Sequence, residues 1–542
     1  MKRTDPLSLG AWQERLTLSS QARRLGYGSH QPEAANWGVR LRVRILWAIT
    51  IASLALLSAR ILYLQIFESG QHSLLSEANH IELIAEPAPR GIIYDRSGTA
   101  LVENIESGGS SGYLRAYPLG PKAAQITGYM GEVNEQELGC QQGICYTPGA
   151  TVGRTGVEAV FERFLKGRDG GKLVEMDARG AVVRELGANA PEPGSDVTLT
   201  VDAKLQEAMY QALRAKRGSA VMLDLQGKVL GLVSSPSYDP NVFGIRRDAQ
   251  QIATYLHDEA DHPFLDRPLG AMYPPGSVFK LVTAYAGLMD QKITAESQIL
   301  DTGELKVGSY RYGNWYFDQY GRTEGEIGLV RALARSNDIF FYKTGEMVGV
   351  DRLVYWARQF GYGAKTGIEL PGEVEGIVPD RLWKERMTGE SWFLGNTYHF
   401  AIGQGDLLVT PLQVARATVA AVSGRVCDVS LRKETTPSCR DLGLTTADIG
   451  LVTDGMKAAC SSGGTAFPFF DFEPRVMCKT GTAQHAGQKT DEDKAHAWIT
   501  VAYPAENPRV VLTVMLEAAG EGSAEAGPVA REILSAWRDL GN

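Results

Sequence analysis

Metal-ligating side chains are scarce in this chain: eight histidines and six cysteines are spread over 542 residues. None of them fall into a Cys/His cluster with zinc-ligand spacing, so no metal and no cofactor are expected. A basic excess is missing too. Lys and Arg number 55 against 63 Asp and Glu, a formal net charge of -8, which argues against nucleic acid as the main partner. No internal repeat is visible. Hydrophobic residues make up 44%, which excludes global disorder and supplies a large core. The length suits two or three domains.

Long hydrophobic runs are equally rare. One stands out, Ile45 to Ile66, interrupted by a single charge at Arg60. At roughly 1.5 Å per residue it crosses a ~30 Å hydrocarbon layer, and a long Arg side chain near its far end snorkels to the interface. Upstream lie Lys2, Arg3, Arg15, Arg23, Arg24, Arg40, Arg42 and Arg44 against Asp5, Glu14 and Glu33. The positive-inside rule therefore makes 1–44 a cytoplasmic tail, 45–66 a transmembrane helix, and everything after about 67 extracytoplasmic. A cleaved signal peptide fits less well, because the run starts late and is long for one. A buried core helix is the other alternative. All six cysteines lie beyond the run: Cys140, Cys145, Cys427, Cys439, Cys460 and Cys478. An even number in an oxidising compartment points to disulfides, with the connectivity open. Sequence neighbours would pair as 140–145, 427–439 and 460–478; buried free thiols are the alternative.

Beyond the membrane run, Gly91 to Asp95 reads as a short strand closed by a turn. The run Ser107 to Gly112 (SGGSSG) is a flexible connector, natural or engineered. Residues 113 to about 195 read as a small α+β module. A helix is expected over Ala203–Leu213 and a hairpin over 220–233. Helical patterns dominate from Ser277 to about 470. Strand-like runs follow at 474–483, 497–503 and 509–517, then a helix over 528–540. This order implies an α/β (α+β) core built around an antiparallel sheet.

The chemistry centres on Ser277-Val278-Phe279-Lys280. Pro274, Pro275 and Gly276 end what precedes, and a helix start at about Ser277 places Ser277 and Lys280 on one face. That pairing is a serine nucleophile beside an amine base, the arrangement of acyl transfer through a covalent acyl-enzyme. The pattern alone is weak, since about two matches arise by chance in a chain this long. A second, Ser430 to Lys433, lies in a polar stretch without a helix-start signal. A carboxylate substrate also needs a cation. Of three Lys-Thr-Gly tripeptides, Lys343 lies in a helical pattern and Lys365 in a Gly-rich loop. Lys479-Thr480-Gly481-Thr482 alone lies in a strand-like run, where an edge aligns backbone N–H groups along a cleft. Between them, Ser336-Asn337-Asp338 precedes an aromatic helix, with Ser336 and Asp338 reading as an N-cap signal.

The order Ser277-x-x-Lys280, Ser336-x-Asp338, Lys479-Thr480-Gly481 resembles the penicillin-binding, active-site-serine transpeptidase family. Ser235–Asn241, Gly361–Gly372, Ala401–Gly405 and His496–Trp498 look like further family segments. Arg90–Arg96 and Gly153–Glu158 resemble the pedestal of its class B members. The resemblance implies a central antiparallel sheet flanked by helices, a pedestal (dimerisation-type) domain over 67–197 and a transpeptidase domain over 198–542. It implies that Ser277 attacks the D-Ala-D-Ala carbonyl of a peptidoglycan stem peptide. Lys280 would activate Ser277 and Ser336 relay protons to the leaving amine. Asp338 completes the middle motif. Lys479, Thr480 and Thr482 would hold the substrate carboxylate and the polar network, with Gly481 between them. The backbone N–H groups of Ser277 and Thr482 would form the oxyanion hole. β-Lactams would block Ser277, and a membrane glycosyltransferase of the SEDS family would be the partner.

Two departures stand out. The third residue of the middle motif is Asp338 where Asn is frequent, which tilts the reading toward the elongation-type branch, penicillin-binding protein 2, over the division branch. The segment between Asn104 and Tyr113 is short where relatives carry a head region. A serine β-lactamase shares the motifs but normally lacks a pedestal and a retained anchor. A β-lactam sensor would carry extra membrane segments, and a bifunctional enzyme would need a glycosyltransferase domain ahead of this one.

Overall fold

The computed structural model describes residues 36–68, 70, 81–106, 112–141, 144–177, 179–214, 216–485 and 494–541. Most of the expected cytoplasmic tail, and all of the Gly/Ser run except Gly112, lie outside the described residues. The chain divides into two compact units, Met1–Glu82 with Leu173–Leu186 and Leu83–Lys172 with Gly187–Asn542. The stretch expected as a pedestal, 67–197, is thus shared between them.

In the first unit, helix α1 spans Asn36–Ile66. It begins nine residues ahead of the apolar run: no Gly-Pro break separates Asn36 from Ile45, and Arg40, Arg42 and Arg44 are good helix formers. Among the described residues it is the one helix long and apolar enough to cross a membrane, over Gly38–Ile66, where every side chain but half-buried Leu64 is exposed.

The second unit joins the upstream motifs through a buried ion network. Glu158, whose side chain is fully buried, accepts from Arg90 Nε and Arg115 Nε, both at 2.6 Å. Arg90 also reaches Glu162 at 2.5 Å. Asn104 donates to Arg90 O at 2.6 Å and accepts from Arg115 Nη1 at 2.9 Å. A carboxylate removed from water is costly unless its charge and lone pairs are matched, and two guanidinium groups match this one. The Arg90–Arg96 and Gly153–Glu158 segments therefore meet in space. Asn241, at the end of the Ser235–Asn241 segment, bonds Tyr117 N and O, both at 3.0 Å, tying residues near 117 to the catalytic region.

That region is built on a five-stranded antiparallel sheet. Helix α2 (Ala203–Leu213) precedes β1 (Gly218–Asp224) and β2 (Val229–Ser235). Helices α3 (Lys280–Met289), α4 (Leu329–Arg335), α5 (Asp338–Val348), α6 (Pro411–Ser423) and α7 (Thr446–Ala459) follow. Strands β3 (Met477–Ala483), β4 (His496–Tyr503) and β5 (Val510–Leu516) and helix α8 (Gly527–Asp539) close the chain. The strand order is β2-β1-β5-β4-β3, so β3 is an edge. Alternation along β1 sends Ala220 and Met222 into a core with Leu205, Met209, Ile533 and Trp537 of α2 and α8. Val221 and Leu223 enter a second core, with Phe279, Leu412 and Val419, on the face carrying α3 and α6. The expected helical stretch from Ser277 to 470 also contains short strands, Ile299–Asp301, Glu304–Val307, Tyr310–Gly313 and Gly325–Ile327. Their few residues carry too little alternation to be read against the flanking helices.

The cysteines are bonded as Cys140–Cys145, Cys427–Cys439 and Cys460–Cys478. The third closes a loop of sequence separation 18 between the end of α7 and β3. Cross-linking a loop of that length contributes about 3 kcal/mol through the unfolded chain. Cys460→Ala with Cys478→Ala is expected to lower the unfolding free energy by about that amount. Denaturant melts of wild type and variant, without reductant, check it; equal stability would contradict the loop argument.

Candidate active site

Ser277 lies in a 3-10 turn, Gly276–Phe279, which leads into α3 at Lys280. The α-helix thus begins three residues after the expected start. The turn is tight because it is wedged between two strands of main chain. Gly276 N–H donates to Gly403 O at 2.8 Å, and a Cβ on Gly403 would stand 2.2 Å from Gly276 O. That close approach explains a glycine in the Ala401–Gly405 segment. On the other side, a Cβ on Gly276 would stand 3.0 Å from Thr482 O, so the turn abuts the Gly481–Thr482 end of β3.

Residues three apart eclipse in a 3-10 turn, which keeps Lys280 under Ser277. Its amine nevertheless makes other bonds. Lys280 Nζ donates to Asp338 Oδ1 at 2.7 Å, Ser336 O at 2.7 Å and Ser336 Oγ at 3.3 Å. Those use its three protons, and among the described residues no hydrogen bond joins it to Ser277 Oγ. The Lys280 side chain is fully buried. Burial pulls its pKa below the ordinary lysine value, and the Asp338 carboxylate pulls it back up.

Lys479 arrives from β3, also fully buried. Its Nζ donates to Ser336 Oγ at 2.9 Å and Thr480 O at 2.8 Å. Burial drives its pKa well below the ordinary value; the like charge of Lys280 adds to this and Asp338 opposes it. Ser336 Oγ therefore accepts from two lysines. A hydroxyl has two lone pairs and one proton, so the Ser336 proton is left free to point elsewhere.

Ser336 reaches this point at a backbone cost. It ends α4 at φ +52°, a left-handed conformation worth on the order of 1–3 kcal/mol in a non-glycine residue. The N-cap of α5 is Asn337, whose side chain accepts from Phe340 N–H at 2.9 Å. The expectation that Ser336 and Asp338 supply the cap is corrected here. The left-handed turn rotates Ser336 into the lysine cluster, and Asp338 is already the first helical residue.

Behind the middle motif stands a network with no motif to announce it. Asp301, buried, accepts from Asn337 Nδ2 at 2.8 Å, Asn314 Nδ2 at 3.0 Å, Gly303 N at 2.9 Å and Glu324 N at 3.0 Å. Asn314 Oδ1 accepts from Asp338 N–H at 3.2 Å, and Trp315 N–H donates to Asp338 Oδ2 at 3.3 Å. These groups come from the short strands, turns and the short helix Trp315–Tyr320 between α3 and α4, where no recurrent spacing marks them.

The competing motifs stay apart from this cluster. Ser430 Oγ bonds Glu369 at 2.6 Å while Lys433 Nζ donates to Arg96 O at 2.9 Å. Lys343 lies on α5 and pairs with Glu346 at 2.9 Å, and Lys365 lies in a loop.

The penicillin binding protein transpeptidase domain model matches residues 218–535. This chain belongs to that family. The penicillin-binding protein dimerisation domain model matches 110–199. The chain is 32% identical to the peptidoglycan D,D-transpeptidase MrdA of Escherichia coli K12, over 78% of this chain and 71% of that protein. It is similar to the structure of Pseudomonas aeruginosa PBP2 in complex with WCK 5153, at TM-score 0.73 and 34% identity, covering 84% of this chain and 96% of that one. It is also similar to PBP2 in its complex with MreC from Helicobacter pylori, at TM-score 0.75 and 26% identity, covering 85% and 99%.

Asp338 raises the Lys280 pKa, so removing its charge lets that pKa fall. More Lys280 is then unprotonated at a given pH. Asp338→Asn is expected to shift the rising limb of the acylation–pH profile to lower pH, whatever the height of the plateau. Stopped-flow acylation across pH checks this; a limb that stays or moves up contradicts it.

Proposed function

We propose that this chain is an elongation-type peptidoglycan D,D-transpeptidase acting through a Ser277 acyl-enzyme. The observation that carries the reading is the convergence of Lys280 and Lys479 on one hydroxyl, Ser336 Oγ, beside the Ser277 turn. The first step puts the Ser277 oxygen on the penultimate D-Ala carbonyl carbon. Lys280 in its amine form takes the Ser277 proton, which burial favours by opposing the charged state. The oxyanion lies against the N–H groups of Ser277 and Thr482, each such donor being worth roughly 3–4 kcal/mol. Collapse breaks the peptide C–N bond. Ser336, both lone pairs occupied by lysines, has its proton free for the departing D-Ala amine and is reprotonated from Lys280. An amine of a second stem peptide then attacks the ester, regenerating Ser277 and leaving a cross-link.

Lys479 and the hydroxyls of Thr480 and Thr482 receive the terminal carboxylate of the donor. The main-chain groups of β3, with its free edge, suit an extended peptide laid alongside. A β-lactam fits the same place with its carboxylate on β3 and its carbonyl at Ser277. Asp338 keeps Lys280 aimed at Ser336.

The basic residues ahead of the Ile45–Ile66 run support a cytoplasmic N-terminus and an extracytoplasmic catalytic region in the plasma membrane of a bacterium. The three disulfides suit that side. The membrane helix and pedestal, over 67–197, are the surfaces offered to a SEDS-family glycosyltransferase, which would supply the glycan strand.

Two measurements bear on this. Intact-mass analysis after incubation with a penicillin is expected to show one adduct on wild type and none on Ser277→Ala. No adduct, or one that survives the substitution, sinks the assignment. Protease added outside spheroplasts is expected to degrade the region after residue 67; protection of that region would reverse the topology.

A further inference from the structure

The Cys460–Cys478 disulfide brackets the catalytic strand from one side. Cys478 precedes Lys479, and Cys460 caps α7. Between them the chain folds back on the end of α7. Gly464 N–H donates to Ser461 O at 2.8 Å and Ala466 N–H to Ala459 O at 2.9 Å. Arg335, the residue before Ser336, donates from Nη1 to Gly463 O at 3.2 Å. This turn holds Thr465, half-buried, so that its Oγ1 lies 2.8 Å from Thr480 Oγ1. Thr480 is itself buried. The turn therefore touches the middle motif through Arg335 and the Lys-Thr-Gly strand through Thr465.

We propose that Thr465 is a positioning residue for recognition of the substrate's terminal carboxylate: it donates its proton to Thr480 Oγ1 and leaves the Thr480 proton directed at the anion. The proposal rests on the transpeptidase reading above. A threonine hydroxyl has one proton. Were Thr480 the donor in this pair, its proton would be spent inside the protein, and it would turn lone pairs toward a carboxylate. With Thr465 as donor, Thr480 meets the anion proton-first, and the chain Thr465 to Thr480 to carboxylate polarises in one direction. No other side chain of the described residues bonds the Thr480 hydroxyl. Lys479 is no substitute for this role. Its amine is held by Ser336 Oγ and Thr480 O, so it supplies charge without orienting the hydroxyl.

The test is acylation of the full-length protein in detergent by a penicillin and by the methyl ester of the same penicillin. Thr465→Val keeps the shape and removes the hydroxyl. It is expected to weaken the apparent binding constant for the acid about fivefold, the worth of one ordinary hydrogen bond, and to leave the limiting acylation rate unchanged. The ester, lacking the anion, should react alike with wild type and Thr465→Val, and Thr465→Ser should restore the acid. Melting temperatures are compared to show that Thr465→Val folds as wild type does. Equal reactivity of Thr465→Val and wild type toward the acid, equal losses on both probes, or no rescue by serine each overturn the proposal. Wild type that takes up no penicillin at Ser277 overturns the transpeptidase reading with it. With wild-type acylation intact, the result bears on Thr465 alone.

Discussion

Two buried lysine amines share one serine hydroxyl, a carboxylate holds one of them, and the rest of the catalytic region is arranged to make that arrangement tolerable. Burying a charge is expensive unless it is paired and fully hydrogen-bonded. Lys280 has its three protons accepted and Lys479 has two bonds, with Asp338 opposing the desolvation of both. The price is met by geometry: α3 and α5 begin, α4 ends and β3 passes at one point. Burial, with Asp338 opposing it, is what disfavours the charged form of Lys280. A base for a serine near neutral pH needs that bias.

The left-handed turn at Ser336 shows where the strain is placed. A helix ends, one residue adopts an unfavourable conformation, and a second helix starts under an Asn cap. The Asp301 carboxylate then fixes the cap through Asn337 and fixes Asp338 through Asn314. Four neutral donors surround Asp301, so the pocket behind the motif is satisfied without a cation of its own. Among the described residues Asp338 is the carboxylate bonded to the lysine cluster in front.

Much of this was legible in the chain. The antiparallel sheet is announced by apolar runs with turn residues between them, and helix Ala203–Leu213 coincides with its expected limits. The choice of Lys479 over Lys343 and Lys365 follows from strand against helix and loop. Other features were illegible for physical reasons. The Ser277 start shifted because a 3-10 turn and an α-helix share the same residue preferences, and the packing of Gly403 decides between them. The cap fell on Asn337 because three adjacent residues were all capable of capping. Asp301 sits in a three-residue strand, Asn314 at a helix cap and Thr465 in a turn, places where neither period of 2 nor 3.6 can declare itself. Their roles depend on which distant hydroxyl or amide they meet.

Among the described residues strand β3 has a neighbouring strand on one side only, and the open side faces the serine turn. An extended peptide laid there, as proposed above, bonds main-chain groups as well as the side chains of Lys479, Thr480 and Thr482, and a main-chain group is the same whatever side chain it bears. Point substitution therefore has little purchase on those main-chain bonds. A cell under selection by a molecule that mimics the substrate cannot delete those contacts without deleting its own strand. Changes have to come from the supports, such as the turn behind Thr480, the glycine contacts beneath Ser277, or the tilt of the edge itself. Each of these also loosens the grip on the natural peptide. The edge thus ties vulnerability to competence, and resistance gained through it is paid in cross-linking rate.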